Sequence, residues 1–292
     1  MKKIILMAAA LILAVSCSDW EGSNTEPLKM KIVDRLLFAD GSDVRFIYGG
    51  ENGLISRIEY SAGPTIDITY EGLGTGMPVV YVNDGTSVQA WNVSGGTVTS
   101  VSVNDASVIT MQYDVHYFYD YLTFLANVDN CSRTTISWGN AVPNEKTTTW
   151  YDDDSFSTSG QKTRQLVRFG WSSQASPTNW LSSIDLLPFV VPEYTEGWGI
   201  DPAVVASVGL YCFRSYNLPG TVTVTLSDLD IQSPAIEGSD GDSDKVEPTS
   251  ENRVFSYDRD SDGYVNAVSK VDTTTGQSET LFSVVYTDAS AE

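Results

Sequence analysis

"FSYDRDSDGYVNAV" (residues 255–268) can be read in two ways, and the choice decides the fold. Asp258, Asp260, Asp262 and Gly263 look like the opening of a calcium loop, yet the same letters form the turn of a β-hairpin between an aromatic and a valine-rich run. An EF-hand loop needs a bidentate Glu at its twelfth position. Counting from Asp258 places Ser269 there, and the flanks read as strands rather than helices.

The hairpin reading is favoured because the segment recurs. Gly53 is followed by Leu54-Ile55-Ser56-Arg57-Ile58, Gly96 by Thr97-Val98-Thr99-Ser100-Val101, and Gly263 by Tyr264-Val265-Asn266-Ala267-Val268. All read Gly-x-[Val/Ile]-x-x-[Val/Ile], with Tyr48, Trp91 or Tyr257 five or six residues ahead of the glycine. Such self-similarity marks one hairpin unit reused. The apolar pair is three apart, which breaks the period of two that a half-buried strand requires. A bulge after the turn accounts for this, as does a strand apolar on both faces.

Strand signals dominate elsewhere. Val44-x-Phe46-x-Tyr48, Ile66-x-Ile68-x-Tyr70, Val222-x-Val224-x-Leu226 and Phe282-x-Val284-x-Tyr286 alternate, and Asp40-Gly41, Asn52-Gly53, Asp84-Gly85 and Gly95-Gly96 punctuate them. Such pairs tolerate the positive φ of tight hairpin turns. The predicted fold is all-β: an antiparallel hairpin meander forming a long curved or partly rolled sheet, with one or two short packing helices. Asp201-Pro202 followed by Ala203 to Val208 carries the cap and first-position proline of a helix, and Trp180 to Leu187, ended by Pro188, reads as another.

The chain has 292 residues and opens MKKIILMAAALILAVSC. Two lysines, an apolar run too short to span a bilayer, and small residues before Cys17 read as an export signal over residues 1–16. AVSC resembles a bacterial lipobox, which makes Cys17 the expected lipidated residue, with 17–28 as tether and 29–292 as a single β-rich domain. Acyl chains on Cys17 would anchor the protein to a membrane. Ser18 in place of Asp fits the outer membrane, at its periplasmic face or on the cell surface, and Asp19 and Glu21 are similar to a short acidic export tag. Loss of Lys2 and Lys3 moves the net charge from −21 to −23. A field of that sign repels nucleic acid. Cys131 and Cys212 remain, as a disulfide or as two buried thiols.

Three segments carry a family resemblance: the Tyr-x-x-(polar)-Gly-x-Val hairpins, "SWGN" at 137–140, and "GLYCFRSYNLPGTVTV" at 209–224. With them the chain resembles the β-rich lipoproteins of Bacteroidetes grouped as a domain of unknown function, whose hairpins are distantly similar to YD-repeat units. Gly209, Leu210, Arg214, Ser215, Asn217, Leu218 and Pro219 match that family's segment before a Thr/Val strand. The resemblance implies antiparallel hairpins in a curved sheet over residues 30–288. It implies no catalytic residue.

Candidate chemistry is sparse. The single histidine, His116, stands in an aromatic stretch without a G-x-S-x-G elbow, which disfavours a Ser-His-Asp triad. No cofactor is expected. Asp240, Asp242 and Asp244 have Glu251 at the twelfth position, but Lys245 replaces the required glycine, so 237–252 reads as an acidic loop. Trp150, Tyr151 and Asp152 set aromatic rings beside a carboxylate, and Trp171 and Trp198 are further candidates for a sugar-stacking surface. The expected function is non-catalytic binding of a glycan or a protein, or a structural role. An aspartate-pair hydrolase or a calcium-stabilised scaffold are the alternatives.

Overall fold

The computed structural model describes residues 31–49, 53–73, 77–94, 97–104, 106–113, 121–126, 132–139, 142–152, 156–157, 160–172, 176–179, 181–208, 215–228 and 248–288. The strands are β1 (Lys31–Phe38), β2 (Asp43–Gly49), β3 (Leu54–Tyr60), β4 (Thr65–Glu71), β5 (Val79–Asn83), β6 (Val88–Ser94), β7 (Thr97–Val103) and β8 (Ala106–Tyr113). They continue as β9 (Tyr121–Ala126), β10 (Ser132–Gly139), β11 (Val142–Tyr151), β12 (Gln161–Gly170), β13 (Thr221–Asp228), β14 (Thr249–Arg259), β15 (Val265–Val271) and β16 (Ser278–Asp288). Each pairs with its neighbours in sequence, giving the antiparallel meander that alternation and turn residues predict. The roll is complete: β1 also pairs with β16, from Lys31 opposite Asp288 to Phe38 opposite Phe282, and the sheet closes into a barrel.

The three-residue spacing of the repeat is a bulge. Ile47 faces Arg57 and Tyr48 faces Ile55, which leaves Ser56 unpaired. Thr99 and Asn266 are skipped in the same way in β6–β7 and β14–β15. The extra residue returns both apolar side chains to one face, so Ile55, Ile58, Val98, Val101, Val265 and Val268 are all buried. Gly263 makes the tight turn ahead of the third bulge at φ +89°, which an L side chain rarely adopts.

Register also shows what glycine spacing hides. The residues facing Ile58, Val101 and Val268 are Phe46, Trp91 and Tyr257, so Phe46 rather than Tyr48 is the counterpart of the other two aromatics. A fourth copy lies in β10–β11, where Asn144 is skipped between Pro143 and Glu145. There Ile136 faces Lys146, and a lysine holds the position that Ile58, Val101 and Val268 fill elsewhere.

Inward residues of β1–β8, among them Val33, Leu36, Phe46, Ile68, Val82, Trp91 and Ile109, belong to one apolar core with the segment linking β12 to β13. That segment contains α1 (Leu187–Val190), a 3-10 turn (Pro192–Tyr194) and α2 (Pro202–Val208). It contacts inward residues from widely separated strands and so plugs the barrel. The Phe189 ring lies 6.1, 6.5 and 6.2 Å from those of Phe38, Phe46 and Phe282. Asp201 caps α2 by accepting the Ala203 amide at 2.8 Å, as its sequence predicts. The other predicted helix is displaced: residues 181–186 are non-helical and Pro188 stands in the first turn of α1. Proline has no amide to contribute there and starts a helix rather than ending it. The expected acidic loop 237–252 is likewise shorter at its end, since Thr249 to Asn252 pair with β13 and belong to β14.

The outer face is polar. Arg45, Arg57, Asp67, Arg133, Arg164 and Arg168 are exposed on it. The ion pairs Arg57–Asp67 (2.7 Å) and Arg168–Glu145 (3.0 Å) join adjacent strands across it.

Ile58 is fully buried at the centre of one repeat. Ile58→Ala should lower stability by about 2–5 kcal/mol in urea titration, whereas Thr69→Ala on the exposed face should stay within about 0.5 kcal/mol. Equal effects at the two positions would contradict the assignment of inner and outer faces.

Candidate functional site

One sector of the barrel interior breaks the apolar rule. Alternation turns Ser132 and Thr134 of β10, Lys146 and Thr148 of β11, and Gln165 of β12 inward, and all are buried. Facing them is the polar part of the plug, residues 193–197. Lys146 Nζ donates to the carbonyls of Glu193 (2.6 Å) and Glu196 (2.9 Å) and lies 6.0 Å from the centroid of the Trp198 ring. Gln165 donates to the Glu196 carboxylate at 2.6 Å, and Ser132 Oγ donates to the Gly197 carbonyl at 2.5 Å. A Cβ on Gly197 would stand 2.7 Å from Thr148 Cγ2, and its φ is +86°, so glycine is what lets the chain approach the wall.

Lys146 has 0% of its surface exposed. Burial lowers its pKa from 10.5 to about 7, against the raising fields of Glu196 and Glu193. No solvent-borne substrate reaches the amine, so its chemistry is that of a donor seating the plug. Arg253 on β14 supports the same turn through Glu193 (2.8 Å) and is itself bound by Glu251 (2.7 Å). Around the rest of the barrel, Tyr48 bonds Ser183 (2.6 Å), Tyr60 donates to Asp201 (2.5 Å) and Tyr257 donates to the Pro219 carbonyl (2.5 Å). Burial first, then the Asp201 charge, raises the Tyr60 pKa, and burial raises that of Tyr257.

The residues singled out in the sequence fall in different places. Trp198 is 3% exposed and packs on Tyr194 at 5.5 Å, so it belongs to the plug core and offers no face to a sugar. Trp171 stacks on Phe169 at 6.1 Å and donates to the Pro143 carbonyl at 2.9 Å. Trp150 turns inward beside Gly197. Tyr151 is 8% exposed beneath Phe156, at 5.2 Å, and Asp152 binds Lys162 at 2.5 Å. The five therefore line no common groove. Residue type alone unites them, and strand alternation sends neighbours to opposite faces.

In the opening segment the hairpin reading holds. Asp260 Oδ1 accepts the amides of Asp262 and Tyr264, both at 2.9 Å, and its carboxylate binds Lys31 at 2.6 Å. The Lys31 hydrogen bond is the largest influence lowering the Asp260 pKa. Asp262 lies 3.4 Å from the same amine, while Asp258 is exposed on β14. The chain's own lysine thus stands where a calcium ion was the alternative. Glu251 is engaged by Arg253 and Lys270, which hold its pKa down to about 2. Among the described residues no group of three metal-ligating side chains converges. Cys17, His116, Cys131, Cys212, Asp240, Asp242 and Asp244 lie outside the described residues.

Sequence reasoning missed Lys146, Gln165, Glu193, Glu196 and Arg253. A signal for Lys146 existed in the fourth hairpin, but its sequence reads Asn140-Ala141 where the other copies carry the marking glycine.

No protein-family model matches the chain, and no curated protein matches it. Among solved structures, a porin-like protein from Bacteroides vulgatus is similar over 88% of this chain and 99% of its own, with a TM-score of 0.55 and 12% identity. A porin-like protein from Bacteroides uniformis is similar over 87% of this chain and 94% of its own, with a TM-score of 0.46 and 15% identity. At such identity the first likeness concerns the fold alone.

Between pH 7 and 10, an unfolded chain protonates Lys146 and the native chain releases that proton. Stability should therefore rise across this window, by at most about 1.4 kcal/mol per pH unit, and the charge penalty is complete below about pH 7. Lys146→Met should remove that rise in urea titrations repeated across the window. A wild-type profile already flat there would show that the amine is not buried.

Proposed function

We propose that this chain is a lipid-anchored module of the outer membrane or cell surface, non-catalytic, whose solid barrel presents its outer wall to a glycan or protein partner. The observation that carries this reading is the polarity of the wall. A membrane-spanning barrel is apolar outside and polar within, and an arginine at mid-bilayer costs roughly 2–4 kcal/mol. Here the arrangement is reversed, with arginines outside and Ile, Val, Phe and Trp inside. The porin-like name of the similar structures invites a pore, but an apolar, plugged interior offers ions no path. Attachment to a membrane then falls to Cys17.

Two further observations favour binding over catalysis. Among the described residues, the carboxylates whose pKa values are perturbed, Asp40, Asp84, Glu251, Asp260 and Asp272, are all lowered by hydrogen-bond donors. A glycosidase acid needs the opposite shift. The buried amine of Lys146 is enclosed by the plug.

In a Gram-negative host the wild-type chain should fractionate with membranes and incorporate labelled palmitate. The Cys17→Ser variant should be released in soluble, folded form. The detergent-solubilised chain should give no conductance steps in planar bilayers. Steady channel activity, or a Cys17→Ser variant that still requires detergent, would refute the reading.

A further inference from the structure

On a chain of net charge −21, most cations are neutralised in place. Lys31, Arg35, Arg45, Arg57, Lys162, Arg168, Arg253 and Lys270 each hold a carboxylate. Arg133, Arg164 and Arg259 do not, among the described residues, and Arg259 stands apart at the end of β14. Arg133 and Arg164 point outward from the same stretch of wall. Arg133 of β10 faces Thr149 of β11, and Thr149 faces Arg164 of β12, so the two guanidinium groups flank one threonine in a single row across three strands. Thr149 is 7% exposed although it lies on the outer face.

This row is built rather than incidental. The turn after β11 folds Phe156 back onto Tyr151, and the Arg133 guanidinium lies 5.5 Å from the centroid of the Phe156 ring. Phe156 adopts φ +50°, a costly conformation for a bulky side chain that persists only where its surroundings impose it. The ring contact engages the Arg133 charge and leaves its hydrogen-bond donors without a partner among the described residues. Arg164 has only a long contact to Gln161, at 3.4 Å. In the next row Thr135 faces Thr147, so paired hydroxyls continue the surface.

We propose that the outer wall of β10–β12 binds an acidic polysaccharide, with Arg133 and Arg164 pairing with its carboxylate or sulfate groups. This rests on the glycan arm of the proposed function and specifies its ligand class. Charge complementarity is the reason for the choice. Guanidinium groups bind carboxylates and sulfates through paired donors, and two of them stand ready on a face whose other cations are already satisfied. Strand spacing places their Cα atoms roughly 10 Å apart, which suits acids two sugars apart along a polysaccharide. A nucleic-acid strand carries a charge about every 3.4 Å. That density exceeds what two arginines neutralise, and the acidic remainder of the chain would repel it. The hydroxyl row and the Phe156 ring supply the polar and stacking contacts that a sugar uses and a bare polyanion does not.

The test is affinity electrophoresis and titration calorimetry of the whole chain in neutral detergent, against polygalacturonate and chondroitin sulfate, with dextran and galactan as neutral polymers and polyglutamate as a sugar-free polyanion. The acidic polysaccharides should bind with an affinity that falls as salt rises. Arg133→Ala/Arg164→Ala should weaken them at least tenfold, and Arg133→Lys/Arg164→Lys should restore part of the loss. Acidic-polysaccharide binding unchanged in the double alanine variant would overturn the assignment, as would polyglutamate binding of equal strength. Binding of neutral polymers alone would overturn it while leaving the proposed function standing. Binding of no polymer would remove the glycan arm of that function together with this site.

Discussion

A closed sheet of sixteen strands encloses more space than its own side chains can fill; barrels of about eight strands are the size at which side chains meet across the middle. When the inner face is apolar, that space cannot be left to water, and polypeptide has to occupy it. The long connection between β12 and β13 does so. Its helices are too short to be stable alone, and α1 and α2 exist because the wall buries them from several sides. Wall and plug are one core, in which Phe189 meets Phe38, Phe46 and Phe282.

Apolar contact fills the barrel but does not orient what fills it. Orientation comes from a few polar contacts whose loss would leave buried groups unsatisfied. Lys146 illustrates the exchange. Its place in the repeat is one that three other hairpins fill with Ile58, Val101 and Val268, and burying an amine there costs solvation. In return it ties two carbonyls of the plug to β11, while Ser132 and Gln165 tie the adjoining residues to β10 and β12. The polar sector of the wall is matched to the polar turn of the plug.

The outer wall follows from the inner one. Once bulges bring both apolar residues of each repeat to the core side, Arg57, Ser100 and Ala267 turn outward, where charge and hydroxyl groups meet water. The likeness in fold to the porin-like structure from Bacteroides vulgatus concerns backbone pairing, which sets the barrel independently of the side chains that set the polarity of its faces.

The sequence by itself determined the strands, their turns, the reused hairpin and the cap of α2. These depend on near neighbours: alternation over a few residues, an Asp-Gly or Asn-Gly turn, an Asp-Pro helix start. The Asp-rich segment was legible as a turn for the same reason, since Gly263 repeats the role of Gly53. Tertiary structure alone decided the rest. Closure pairs Lys31 with Asp288 from opposite ends of the chain, and no local pattern encodes that meeting. The choice between a bulge and a strand apolar on both faces required the register. Trp150, Tyr151 and Asp152 share residue types suited to sugar stacking, yet they scatter because consecutive strand residues face opposite ways. Lys146 was hidden because a lysine in a polar Thr-rich strand reads as exposed, and only the plug folding against it makes that position interior.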